Sequence, residues 1–207
     1  DKFCAALMGL SLRNVTLTVY DGDKPIFSEF GEMLFTHFGV SGPLVLSASS
    51  HIRDMKPNRY HLAIDLKPAL DSEQLDARIQ RDFAENLNRD FINGIRKLLP
   101  AKLIPVITRL SGIPEEQKIN SVTKEQRRRF GELIKAFPVR VSGFRPIDEA
   151  IVTSGGILVR EIDPHTMESK LVRGLFFAGE VIDVDAYTGG FNLQIAFSTA
   201  YSAALYM

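Results

Sequence analysis

The hydrophobic period of this chain changes twice, and that constrains its fold more than any single motif. Val15, Leu17 and Val19 alternate with Asn14, Thr16 and Thr18, and Leu62, Ile64 and Leu66 alternate again before Pro68. Period two is the mark of half-buried strands, so residues 13–66 read as β. From Asp71 the spacing lengthens: Leu75, Ile79, Phe83 and Leu87 recur every four residues, as on the buried face of a helix. After Pro138 the β pattern returns in Val139 and Val141. The expectation is an α+β protein in which residues 71–136 form a helical insertion within a β domain made of residues 1–70 and 137–150.

Local signals refine this outline. Asp21-Gly22 marks a hairpin directly after the first strand, and strand-like composition continues from Ile26 to Phe38. The loop Gly39-Val-Ser-Gly-Pro43 opens a short apolar segment, Leu44 to Ala48, read as a helical turn. Asp71 with Gln74, and Thr123 with Gln126, have the spacing of capping boxes. Between them, Phe91–Leu99 is predicted as a second helix. Pro100 is predicted to start a third, which ends at Ser111-Gly112. Beyond Pro146, Ile151-Val152-Thr153 and Leu175-Phe176-Phe177 are strand candidates, separated by a turn at Asp163-Pro164.

The chain closes with an apolar run that meets an acid, Glu180, then a polar loop with Asp183, Asp185 and Thr188. A glycine pair, Gly189-Gly190, follows and opens a helix of small and apolar residues. The first turn of such a helix carries exposed N–H groups, which favour negative charge or carbonyl oxygens. Phe177-Ala-Gly-Glu-Val-Ile-Asp-Val-Asp-Ala-Tyr-Thr-Gly-Gly-Phe-Asn-Leu-Gln-Ile-Ala-Phe-Ser-Thr199 resembles the HI0933-like (YhiN/BaiN-like) family of NAD(P)/FAD-dependent flavoprotein oxidoreductases. Gly31-Glu-Met-Leu-Phe-Thr-His-Phe-Gly-Val-Ser-Gly-Pro43, Val152-Thr-Ser-Gly-Gly-Ile157 and Glu161 to Lys170 fit it too.

The resemblance implies a β-barrel-like substrate domain, its helical insertion, and a C-terminal strand-loop-helix (residues 151–207) from a Rossmann-like FAD-binding domain. It implies FAD as cofactor and NAD(P)H as reductant, with Gly179, Glu180, Asp183, Gly189, Gly190, Phe191, Asn192 and Leu193 as the cofactor-contacting residues. Glu180 would accept hydrogen bonds from ribityl or ribose hydroxyls. The N–H groups after Gly190 would face the pyrimidine edge of the flavin and favour its anionic reduced form. The Gly-x-Gly-x-x-Gly fingerprint that holds the pyrophosphate in such folds is absent. The expectation is therefore a piece of a flavoenzyme, which does not retain FAD by itself and whose partner is the missing N-terminal FAD-binding segment.

Other residue types are read against their ordinary structural roles. His37, in Phe35-Thr-His-Phe-Gly39, is the candidate proton donor to a reduced double bond; a lone histidine in an apolar strand is also a common packed residue. Asp183 and Asp185 also suit a solvated or capping role. Ser41 lacks a Gly-x-Ser-x-Gly elbow and reads as part of a turn. His37, His51, His61 and His165 have no metal-ligand spacing with Cys4, so no zinc site is expected. Arg127-Arg-Arg129 lies within a predicted helix and reads as a solvated face. Lysine plus arginine and aspartate plus glutamate are equal at 25 each, so net charge draws the chain toward neither nucleic acid nor membrane. One cysteine suits a reducing cytoplasm. With 14 phenylalanines and no tryptophan, the core is phenylalanine- and aliphatic-built.

The function that the resemblance implies is a flavin-dependent oxidoreductase acting on a small organic acceptor such as an activated double bond. The alternative is a non-catalytic binding or regulatory module that keeps a vestigial flavin fold. A colourless full-length protein would favour the alternative.

Overall fold

The computed structural model describes Asp1–Met207, which group into two compact units, Asp1–Gly143 and Phe144–Met207. In the first unit a short helix, α1 (Phe3–Ala6), precedes the hairpin of β1 (Ser11–Asp21) and β2 (Lys24–Phe35). Asp21 pairs with Lys24, so the two loop residues are Gly22 and Asp23, one position later than the Asp21-Gly22 signal. Gly22 takes φ 59°, the left-handed value that a two-residue loop needs at its first position. Next come β3 (Val40–Ser41), α2 (Pro43–Ser49) and β4 (Tyr60–Asp65). Helices α3 (Ser72–Ala84), α4 (Phe91–Gly94), α5 (Ile104–Ser111) and α6 (Lys124–Lys135) follow, and β5 (Phe137–Arg140) closes the sheet. The five strands form one antiparallel sheet, ordered β3-β2-β1-β4-β5, that curls as a half-barrel. The α+β class and the barrel-like sheet expected from the sequence are what the structure has.

The helices between β4 and β5 begin where the period changes. Asp71 accepts the Gln74 N–H at 2.8 Å while the Gln74 side chain returns to the Asp71 N–H at 3.1 Å. Thr123 and Gln126 repeat this reciprocal arrangement on α6. The second predicted helix is shorter than expected: regular helix ends at Gly94 rather than Leu99. Glycine weakens a helix interior, and Pro100 pushes Leu99 out of the helical region. The third helix starts at Ile104 after a run of turns, not at Pro100.

Two aromatic groups centre the core of this unit. Phe137 meets Phe3 and Phe35 edge-on, with ring centroids 5.4 and 6.4 Å apart. Phe91 meets Phe83 and Phe130 in the same way at 6.3 and 5.2 Å. Residues 130 and 137 bracket the end of α6, so one stretch of chain fills both groups. The Leu66 N–H donates to the Ile134 carbonyl at 2.9 Å, tying α6 to the end of β4.

The second unit has little regular structure before α7 (Phe191–Tyr206). Neither predicted strand forms there. Ile151 is exposed in a bend, and Phe176 makes only an isolated bridge to Glu168. A strand is stable only as part of a ladder, and within this unit every pairing is a single isolated bridge. Gly179–Val181 is one 3-10 turn, so Glu180 sits in a turn and not at a strand end. Ile162, Met167, Ile182 and Ala203 form a small core, with Ile157, Phe176 and Phe177 against it.

Candidate functional site

The loop that leads into α7 is held by side chains already engaged. The Asn192 amide accepts from the Ala186 N–H at 2.8 Å and donates to the Ala186 carbonyl at 2.9 Å, so it clamps the loop onto the first turn of the helix. Asp183 Oδ1 accepts from the Gly155 N–H at 2.9 Å, and the Asp183 N–H donates to the Ile157 carbonyl. The Asp183 carboxylate therefore ties two loops together. Thr199, which the resemblance does not single out, accepts the Gly179 N–H at 3.0 Å while its own hydroxyl donates to the Ile195 carbonyl. A threonine two turns into a helix gives no sequence signal of such a contact.

What remains open is the helix start. Gly189 and Gly190 have φ 114° and 89°, which side-chain-bearing residues rarely adopt. A Cβ on Gly190 would face open space, with no heavy atom within 4 Å. The first intrahelical bond runs from the Gln194 N–H to the Gly190 carbonyl at 2.9 Å, so the N–H groups of Phe191, Asn192 and Leu193 lie ahead of the helical ladder. Phe191 and Leu193 are exposed, and Glu180 stands exposed on its turn. Unencumbered donors at the positive end of a 16-residue helix suit a planar group with partial negative charge at its edge, so this segment fits the flavin contact that the resemblance implies.

Gly156 is also structurally demanding. Its φ is 141°, and a Cβ there would lie 2.4 Å from the Val181 carbonyl oxygen. That oxygen accepts the Ile157 N–H at 2.8 Å. Gly156→Ala is expected to lower the stability of residues 144–207 by about 1–3 kcal/mol through backbone strain. Urea unfolding followed by limited proteolysis within this unit measures it; an unchanged midpoint would count against the close approach.

His37 belongs to the first unit and the other eight predicted site residues to the second. It is not packed in a strand. It sits exposed on the β2–β3 loop, its ring edge-on to Phe38 at 5.0 Å. Mutual bonds between Thr36 and Gly39 tighten that loop and turn the side chain out of the ladder. Ser41 pairs with Leu34 in β3. Cys4 is buried, and burial pushes its thiol pKa up, which suits an inert core residue. No group of histidine, cysteine and carboxylates could hold a metal ion. The run Arg127–Arg129 is neutralised by ion pairs: Arg127 to Asp76 at 2.7 Å, and Arg128 and Arg129 to Glu125 at 2.8 and 3.0 Å. No helix is long and apolar enough to cross a membrane.

A family model described as "HI0933-like protein barrel and H2TH domain" matches residues 1–152. The ribosomal RNA dihydrouridine synthase of Haemophilus influenzae is 34% identical over 99% of this chain and 48% of its own length. That of Escherichia coli is 32% identical over 96% of this chain and 46% of its own. The 3-dehydro-bile acid delta(4,6)-reductase of Clostridium scindens is 29% identical over 88% and 45%. A curled sheet, an inserted set of helices and this family match define the class, and the chain belongs to the HI0933-like family. It spans about half the length of the curated relatives it matches.

Proposed function

We propose that the full-length protein is a flavin-dependent reductase of a carbon–carbon double bond conjugated to a carbonyl, and that its substrate is a uridine base in ribosomal RNA. The names of the relatives carry the reading. Converting uridine to dihydrouridine adds two hydrogens across a ring double bond conjugated to a carbonyl. A delta(4,6)-reductase of a 3-dehydro steroid acts on the same kind of bond. The higher identity of the two RNA-directed relatives favours uridine over a small steroid-like acceptor. This choice replaces two expectations: a small-molecule acceptor, implied by the resemblance, and no nucleic-acid partner, drawn from balanced net charge.

FAD, reduced by NAD(P)H, would supply the hydride chemistry. The chain's part is to hold and orient it: the N–H groups of Phe191, Asn192 and Leu193 toward the ring edge, Gly189 and Gly190 allowing close approach, and Glu180 toward ribityl or ribose hydroxyls. The Asn192 and Asp183 side chains act one step back, fixing the loop. Phe197, Tyr201 and Leu205 leave apolar surface of α7 exposed, which suits packing by the remainder of a flavin-binding domain. His37, exposed on its loop, is the proposed donor of the proton that completes reduction.

The test is purified full-length protein given NADPH or NADH and unmodified ribosomal RNA, with dihydrouridine measured by mass spectrometry. A yellow protein that forms dihydrouridine supports the reading. One that reduces steroid enones but not RNA favours the second substrate class. A colourless protein returns the argument to a non-catalytic module. His37→Ala should keep flavin and its reduction by NAD(P)H yet lose substrate turnover; undiminished turnover removes the proton-donor role.

A further inference from the structure

We propose that a groove at the start of β1, between Arg13, Asn14 and Lys67, binds a backbone phosphate of the RNA substrate. The inference rests on the RNA reading above and adds to it a place on the first unit. The pairing of β1 with β2 shifts between Leu12 and Val15: Leu12 faces Met33 and Val15 faces Gly31, so β1 carries one extra residue there. A bulge of this kind frees residues from the ladder and re-aims their side chains. Arg13 and Asn14 are the freed residues, and both are exposed.

They open onto a groove of about 320 Å³, walled by Ser11–Val15 on one side and by Leu66, Lys67, Leu99 and Pro100 on the other. No acidic residue lines it. Neither Arg13 nor Lys67 takes part in an ion pair, in contrast to Arg127–Arg129, where the sequence concentrates positive charge. The nearby carboxylates are taken: Asp82 is held by Arg78 at 3.0 Å and Asp65 by Lys135 at 2.5 Å.

Lys67 is half-buried. Burial pushes its ammonium pKa down and the Arg78 charge pushes it further, with Asp82 offsetting part of this. A partly desolvated cation without its own counterion gains more from an incoming anion than a solvated one does. The Lys67 side of the groove is also fixed: Lys135 donates to the Lys67 and Leu70 carbonyls at 3.3 and 2.7 Å. The site combines two unpaired cations, one amide and apolar flanks, which is the chemistry of a phosphate contact that positions a chain without reading its bases. NAD(P)H is the other source of such a phosphate, and the measurements separate the two.

Arg13→Gln and Lys67→Met, singly and together, are made in the full-length protein; the methionine keeps the apolar stem of the lysine. Binding of a fluorescent, uridine-containing ribosomal RNA hairpin is titrated across salt concentration, with flavin content and thermal unfolding as checks on folding. Each lost cation should lower the slope of log affinity against log salt by about 0.7–0.9, and the double variant should bind roughly tenfold or more weakly at about 0.1 M salt. Arg13→Lys and Lys67→Arg should restore the slope. Unchanged slope and affinity in the double variant, with the unsubstituted protein binding RNA, overturn the groove and leave the RNA reading standing. A raised KM for NADPH with RNA binding intact assigns the groove to the nucleotide and overturns the proposal. If the unsubstituted protein does not bind the hairpin, the RNA reading itself fails.

Discussion

Gly190→Val in the full-length protein is expected to abolish flavin retention, or reduce it at least tenfold. Position 190 has φ 89° and immediately precedes α7, so a β-branched residue is strained there whatever surrounds it. Relief of that strain moves the helix start and the N–H groups of residues 191–193 away from where a ring edge must meet them. Within this chain the new methyl groups meet nothing, because the space beside Gly190 is open. The loss should therefore fall on cofactor binding more than on the fold of residues 144–207. Absorbance in the flavin band per mole of purified protein measures it, with His37→Ala as the comparison that stays yellow. Full occupancy in Gly190→Val would remove this loop from the cofactor site.

Phe137→Ala is expected to lower the stability of the first unit by about 3–5 kcal/mol, enough to unfold a domain of ordinary stability. The ring is fully buried and touches both Phe3 and Phe35 edge-on, so it links α1, the end of β2 and the start of β5. Truncation leaves a cavity that rigid β neighbours cannot close. Phe137→Leu, which fills most of that volume, should recover more than half of the loss. Chemical unfolding monitored by far-UV circular dichroism gives the comparison. Equal stability of the alanine and wild-type chains would show that residue 137 does not hold these elements together.

Strands β1, β2, β4 and β5 and both capping boxes were legible in the sequence because each depends on short-range rules, whereas the two-residue β3, read as a loop, forms only by pairing with the end of β2. Val15, Leu17 and Val19 face one side by the geometry of a strand. Asp71 and Thr123 each satisfy a helix terminus with a partner three residues on. Leu175–Phe177 failed the same treatment, since composition proposes a strand but only a neighbouring strand can satisfy its backbone. Gly94 and Pro100 shortened a helix that apolar spacing had extended to Leu99. His37 was misplaced for a related reason: the apolar residues around it suggested a strand interior, while mutual bonds between Thr36 and Gly39 make a loop.

By itself the sequence determined the α+β class, the capped starts of α3 and α6 and the diglycine start of α7, all of which follow from periodicity and from backbone preferences of single residues. Tertiary structure alone decided that Asp183 spends its carboxylate on the loop at Gly155, that Arg127 is held by Asp76, and that Arg13 and Lys67 share a groove without an acid. Those outcomes depend on which groups meet across separations of tens of residues, such as Asp76 with Arg127 or Gly155 with Asp183. Charge counted along a chain has no knowledge of partners, so the longest basic run proved fully paired while Arg13 and Lys67 are among the cations that make no ion pair.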